Sequence, residues 1–355
     1  MTQTYFLGAN SKDGFYSLYG SFPPESCDFL HIIKSGPGTG KSGFMRKIGA
    51  AAEKRGLDVQ YVLCSGDPDS IDGVYIPALK TAWVDGTAPH VCEPEHFGIN
   101  SDYINLGKFC KQDFSPNETN YVNLISQHYK SAYSAAYTYL SSAASLRSKI
   151  DGSCFSDEQL KSPKKRIDSI IERNCRRVSV QKGRTTARFL SAISCKGEVR
   201  MSEEIYKLCK LIYQLDNSYG GAARMLEYAA SQAEYKNLNV IRCLSPLEPD
   251  RLEALILPQL SLAFTDDSRQ FENAKHIRID ALIPQDIQQQ TRQDLREIRR
   301  INKKIMELAF SKLSQAKQLH DELEEIYKAH MDFTALNSFT EAEIKKLFKQ
   351  KNTLS

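Results

Sequence analysis

The residues Ser35-Gly36-Pro37-Gly38-Thr39-Gly40-Lys41-Ser42 carry the densest chemical signal in the chain, because they match G-x-x-x-x-G-K-[ST] at Gly40, Lys41 and Ser42, with Ser35 at the first glycine position and Gly36 one place on. Glycines in that pattern let the backbone turn tightly and aim successive N–H groups at one phosphate, and the helix that follows adds its positive N-terminus. The flanks have the required character. Phe29-Leu30-His31-Ile32-Ile33 is a short apolar run suited to a buried strand, and residues 43–55 are rich in Ala, Lys and Arg, with Met45 among the apolar residues at helical spacing. Gly36, Pro37, Gly38, Thr39, Gly40, Lys41, Ser42 and Gly43 therefore read as the cradle of a nucleoside triphosphate. Lys41 is expected at the β- and γ-phosphates and the Ser42 hydroxyl on Mg²⁺.

Carboxylates follow downstream. The β-rich Val59-Gln60-Tyr61-Val62-Leu63-Cys64 ends in a loop, residues 65–73, that holds Asp67, Asp69 and Asp72. One of these three is expected to orient an attacking water or acceptor hydroxyl, the plainer reading being a solvated turn. Thr81-Ala82-Trp83-Val84-Asp85-Gly86 is an apolar run ending in Asp, the arrangement by which a strand delivers a metal-shell carboxylate beside phosphates; Asp85 joins Ser42 as a metal ligand on this reading. His90 is a candidate donor to phosphate, weighed against a structural histidine. A zinc site from His90, Cys92 and His96 lacks a fourth ligand and a tight spacing.

Around this centre the composition is that of an ordinary globular chain, 25% charged and 41% hydrophobic over 355 residues, enough for two domains. No apolar stretch approaches membrane-spanning length, no leader-like segment opens the chain, and the nine scattered cysteines include no C-x-x-C pair. A cytoplasmic protein with reduced thiols and no membrane partner is the expectation. The net charge is +4, but residues 161–188 hold ten Lys/Arg against Asp168 and Glu172, so the remainder is net acidic. Such a run is more often a solvated helix face and linker than a nucleic-acid surface.

The elements that must position these residues recur. Ser115-Pro116-Asn117-Glu118 is a capping box that opens a helix to about residue 150, and Ser156-x-x-Gln159 caps a second helix, ending before Ser162-Pro163. Phe6-Leu7 matches Phe189-Leu190, Pro68-Asp69 matches Pro249-Asp250, and Asp85 matches Asp266, at nearly constant spacing. Two copies of one fold, residues 1–183 and 184–355, are the economical explanation. In the second copy Gly221 and Ala222 stand opposite Lys41 and Ser42, and Asp216 falls where phosphate would sit. That copy is degenerate and one nucleotide per chain is expected. Residues 286–331 lack Gly and Pro and form a long amphipathic helix, predicted to coil against its counterpart from the first copy; Thr340-x-x-Glu343 is read as the cap of the next helix. Arg184 or Arg188 is a candidate cis arginine finger.

The runs Phe6-Leu7-Gly8-Ala9-Asn10-Ser11, Gly36-Pro37-Gly38-Thr39-Gly40-Lys41-Ser42, Asp69-Ser70-x-Asp72-Gly73-Val74 and Val84-Asp85-Gly86-Thr87-Ala88-Pro89-His90 together resemble a family of bacterial two-repeat P-loop proteins of ATPase type. The resemblance spans both halves and is specific in the first. It implies an α/β fold of tandem P-loop NTPase-like repeats with parallel sheets and helical hairpins, with ATP, or GTP, and Mg²⁺ as ligands. Members commonly keep a P-loop in each half, from which this sequence departs. Two functions are expected to compete: hydrolysis or small-molecule kinase-like phosphoryl transfer at the single intact loop, and a nucleotide-sensing module whose degenerate half and long helices engage a protein or nucleic-acid partner.

Overall fold

The computed structural model describes residues 1–150, 152, 154–175, 183–268, 271 and 273–349. The first half runs β1 (Thr2–Phe6), β2 (Gly8–Ser11), β3 (Gly14–Ser17), β4 (Phe29–Lys34), α1 (Lys41–Glu53), β5 (Val59–Leu63), β6 (Ile71–Ile76), β7 (Thr81–Asp85), β8 (Ser101–Asn105), α2 (Pro116–Arg147) and α3 (Asp157–Cys175). The second runs β9 (Thr185–Arg188), β10 (Ser191–Ser194), β11 (Gly197–Arg200), α4 (Glu203–Leu208), β12 (Leu211–Leu215), α5 (Ala222–Tyr235), β13 (Val240–Leu244), β14 (Leu252–Leu257), β15 (Leu262–Thr265), β16 (Lys275–Ile277), α6 (Gln285–Ala329) and α7 (Phe333–Lys349). The fold is mixed α/β, with two six-stranded, mostly parallel sheets ordered β1-β5-β6-β7-β4-β8 and β9-β13-β14-β15-β12-β16. Counterpart strands hold counterpart places.

Each sheet departs from the expected all-parallel form at one strand: β6 and β14 run against both neighbours. The links that enter and leave them are too short for a crossover, so an antiparallel turn is the only connection available. Asp72 and Gly73 consequently lie in β6, not in the acidic loop. The helices also correct the alignment of the halves. Helices α1 and α5 begin at Lys41 and Ala222, and the buried faces Phe44, Met45, Ile48, Gly49, Ala52 and Met225, Leu226, Ala229, Ala230, Ala233 keep the same spacing from those starts. Ala222 and Ala223, not Gly221 and Ala222, therefore stand opposite Lys41 and Ser42.

The box at Ser115 forms, Oγ accepting from the Glu118 N–H at 3.2 Å while the Glu118 carboxylate accepts from the Ser115 N–H at 2.7 Å. Helix α3 opens on the matching box at Ser156 and Gln159 but continues through a buried Pro163, giving up a ladder bond there. Thr340 caps nothing; it lies inside α7 and donates to the Leu336 carbonyl at 2.7 Å, while Asp332 caps that helix by accepting from the Ala335 N–H at 2.9 Å. Of the basic run, residues 161–175 lie in α3 and residues 176–182 fall outside the described residues.

The hairpins cross over. Helix α3 packs on α5 of the second half and α7 on α1 of the first, while α2 and α6 run antiparallel between them. Tyr121 meets Glu322 at one end of that pair and the Asn302 amide reaches the Ala143 carbonyl at the other, 3.1 Å and 2.7 Å. The contact is close because α2 offers Ala132, Ala136, Ala143 and Ala144, and α6 Ala309 and Ala316. Phe6 and its counterpart Phe189 exchange backbone hydrogen bonds at 3.0 and 2.9 Å, placing a local two-fold between the halves. Among the described residues no helix is long and apolar enough to cross a membrane.

Candidate functional site

Strand β4 leads straight into the glycine-rich turn, and α1 begins at Lys41 behind Gly40, whose φ of +86° is reachable because it has no Cβ. No side chain caps this helix, so its first-turn N–H groups face the space in front of the loop. Inside the turn, Thr39 Oγ1 donates to the Gly36 carbonyl at 2.8 Å. Lys41 Nζ donates to the same carbonyl at 2.9 Å and lies 3.5 Å from Asp85 Oδ2. Ser42 Oγ accepts from the Ile71 N–H at 2.9 Å.

Asp85 is the last residue of β7, beside β4, and its other oxygen accepts from the N–H and hydroxyl of Thr87 at 2.9 and 2.6 Å. Ligand atoms of Asp72, Asp85 and His90, all buried, lie within 4.8 Å of one another. Tyr19 donates to Asp72 at 2.9 Å and His90 Nε2 lies 3.5 Å from it, while His90 Nδ1 is buried without a partner. Burial pushes the Asp72 carboxyl up, opposed by His90 and reinforced by Asp85. The Tyr19 hydroxyl and the Cys64 thiol are raised well above their ordinary values, mainly by burial.

The structure thus brings Lys41, Ser42, Asp72, Asp85 and His90 together around one cavity of ≈ 1910 Å³, with Asp67 on its wall. Asp67 faces Lys317 of α6 at 3.5 Å and accepts from the Ser70 hydroxyl at 3.3 Å. Asp69 is elsewhere: it is exposed and bonded to Lys196 of the second half, which holds its carboxyl below the usual range. That ion pair mirrors Lys12 with Asp250, so both mark the junction between the halves. Cys92 and His96 do not join His90 in a metal-binding group among the described residues. Nor does either arginine reach the loop. Arg184 pairs with Glu25, before the start of β4, and Arg188 lies over the Tyr5 ring and bonds Gln3, because β9 is the far edge strand of its sheet.

Sequence reading missed what covers the loop. The α6 backbone at Glu324 lies so close that a Cβ on Gly38 would meet its carbonyl at 2.6 Å, and Tyr327 stands over Gly36. The opposite wall is α2, where Tyr129 meets Tyr133 edge to face and Tyr133 meets Tyr137 at a tilt, 5.0 and 5.8 Å between ring centres. Their four-residue spacing, which puts them on one helix face, was the available signal. No family model, curated protein or solved structure matches the chain.

Proposed function

We propose that this chain is a two-repeat P-loop NTPase of the family its motifs resemble. It binds one Mg²⁺-nucleoside triphosphate, ATP or GTP, in its first half and hydrolyses it or transfers its terminal phosphoryl group. The observation that carries the reading is the uncapped start of α1, with Lys41 held between the carbonyl of its own loop and Asp85, an arrangement suited to an anion and its metal. Ser42 and Asp85 are hard oxygen donors suited to Mg²⁺, and the buried, unpartnered His90 nitrogen marks polar capacity beside them. When bound, the ion neutralises charge on the β- and γ-oxygens. Lys41 does the same from the loop, and Asp72, aligned by Tyr19, takes the proton of the attacking hydroxyl as the new P–O bond forms and the β–γ bridge breaks. The cavity exceeds the roughly 300–1,000 Å³ of an ordinary small-molecule site, leaving room along the tyrosine face for an acceptor beyond the nucleotide.

A nucleotide-sensing module is the second reading, favoured by the contact of α6 on Gly38, through which loop occupancy reaches the second half. Calorimetric titration with Mg²⁺-ATP and Mg²⁺-GTP, together with phosphate release, tests both. The enzyme turns over well above background; the sensor binds tightly and turns over slowly. Asp85→Asn is expected to weaken binding with Mg²⁺ by about tenfold while leaving metal-free binding unchanged. Equal weakening with and without metal would remove Asp85 from the metal shell.

A further inference from the structure

The second half holds a smaller cavity, ≈ 280 Å³, between its own strand-to-helix loop, the end of α2 and the Ile298-to-Lys303 stretch of α6. Its wall carries Arg147, Arg251, Arg299 and Lys303. Arg147 and Arg251 share a single carboxylate, Glu248, at 3.6 and 3.2 Å. Arg299 donates to the Ser218 carbonyl, and neither it nor Lys303 has a carboxylate partner among the described residues. Glu253 and Asp266 stand where Asp72 and Asp85 stand in the first half, and Asp266 accepts from the Asn217 amide at 2.7 Å. Burial pushes both carboxyls up, Asp266 to about 7, and Glu253 accepts from the Ser191 hydroxyl at 2.6 Å. Ser245 also lines the cavity; it is 3% exposed and its Oγ has no hydrogen-bond partner.

We propose that this cavity binds a small, doubly charged oxyanion, an inorganic phosphate or a short dicarboxylate. The guanidinium groups of Arg147, Arg251 and Arg299 offer paired N–H donors to such an ion, Lys303 adds a point charge at the rim, and the ion supplies the acceptor that Ser245 lacks. The volume sits at the lower edge of the small-molecule range, about 300 Å³, which excludes a nucleotide. The site owes nothing to the P-loop reading, since the second half has alanines opposite Lys41 and Ser42. It lies within a turn of residues of α2 and α6 that line the larger cavity, Leu146 and Ile301 among them.

The experiment is calorimetric titration of the full chain carrying Lys41→Ala with inorganic phosphate and, separately, malonate. One saturable site per chain is expected for at least one of them. The anion that binds identifies the class. Arg251→Gln and Lys303→Gln, each checked by its melting temperature, are expected to weaken that binding at least about tenfold, and Lys304→Gln, on the same helix but off the cavity, to leave it unchanged. Should Arg251→Gln fail to fold, the exposed Lys303→Gln decides. Saturable binding of neither anion, or binding indifferent to Lys303→Gln, overturns the proposal, whatever the chain does with nucleotide.

Discussion

Residues 35–40 and 217–221 occupy the same place between a strand and a helix, and they treat backbone polarity in opposite ways. In the first loop no side chain caps the helix and the lysine bends back onto a loop carbonyl. In the second the chain provides its own acceptors: Asp280 accepts from the Ser218 N–H at 2.8 Å and Asn217 from the Ala222 N–H at 3.2 Å. Asp216 is turned away, accepting from the N–H groups of Ile279 and Asp280, so it does not confront an empty phosphate position as the sequence suggested. Occlusion differs too. Gly220 lies against the Ile150 carbonyl and Gly221 against the Phe155 ring, where the first loop touches α6 at Gly38 and Gly36 yet still borders a large cavity. In the second loop internal carboxylates and a neighbouring backbone satisfy the amides that the first leaves open, a difference that needs no change of fold.

The largest expected effect breaks the comparison at its glycines. Gly220→Ala puts a Cβ into the Ile150 carbonyl at a φ of +79° and is expected to cost about 2–5 kcal/mol of stability, read by denaturant titration, with nucleotide affinity per folded chain unchanged. Gly38→Ala, at φ +67°, is expected to lower both stability and nucleotide affinity. Parental stability in both variants would show that neither loop is held as described.

Next is the lysine. Lys41→Ala is expected to lose about 1.5–3 kcal/mol of Mg²⁺-nucleotide binding, roughly ten- to a hundredfold, without loss of stability. The reciprocal Ala222→Lys/Ala223→Ser is expected to create no second site and to destabilise the chain, because Ala222 is fully buried. Two equivalent nucleotides per chain, in either protein, would end the one-site account.

A pH series sharpens the carboxylate pairs. Asp266 titrates near 7 in the folded chain against about 4 unfolded, so between those values the native state binds the extra proton and stability falls as pH rises. Asp266→Asn is expected to gain stability relative to the parent from pH 4 to 7 and to hold a constant difference above that. A difference flat with pH would show that Asp266 ionises normally.

The smallest effect is at the junction. Asp69→Asn and Asp250→Asn remove exposed, mirrored ion pairs, and each is expected to shift the melting temperature less than the glycine and Asp266 variants do. Asp72→Asn lowers turnover on the proposed mechanism; a comparable loss in Asp69→Asn would move the catalytic carboxylate to the surface loop.

What the sequence determined by itself is local or periodic. The glycine-lysine-serine run fixes a strand-turn-helix unit, the boxes at Ser115 and Ser156 fix helix starts, and the repeated residues fix two halves with matching strands. These signals act through neighbours a few residues apart, which is why they survive in a one-dimensional reading. Tertiary structure alone decided the rest. Thr340 matched Ser156 in pattern, yet Asp332 started the helix a full two turns earlier, and nothing local ranks two caps. That Asp72 joins Asp85 and His90 while Asp69 serves the junction followed from β6 running antiparallel and from where the second half places Lys196. The covering of each loop by the other half's hairpin depends on contacts between residues more than a hundred positions apart, such as Gly38 with Glu324, and short-range spacing carries no record of them.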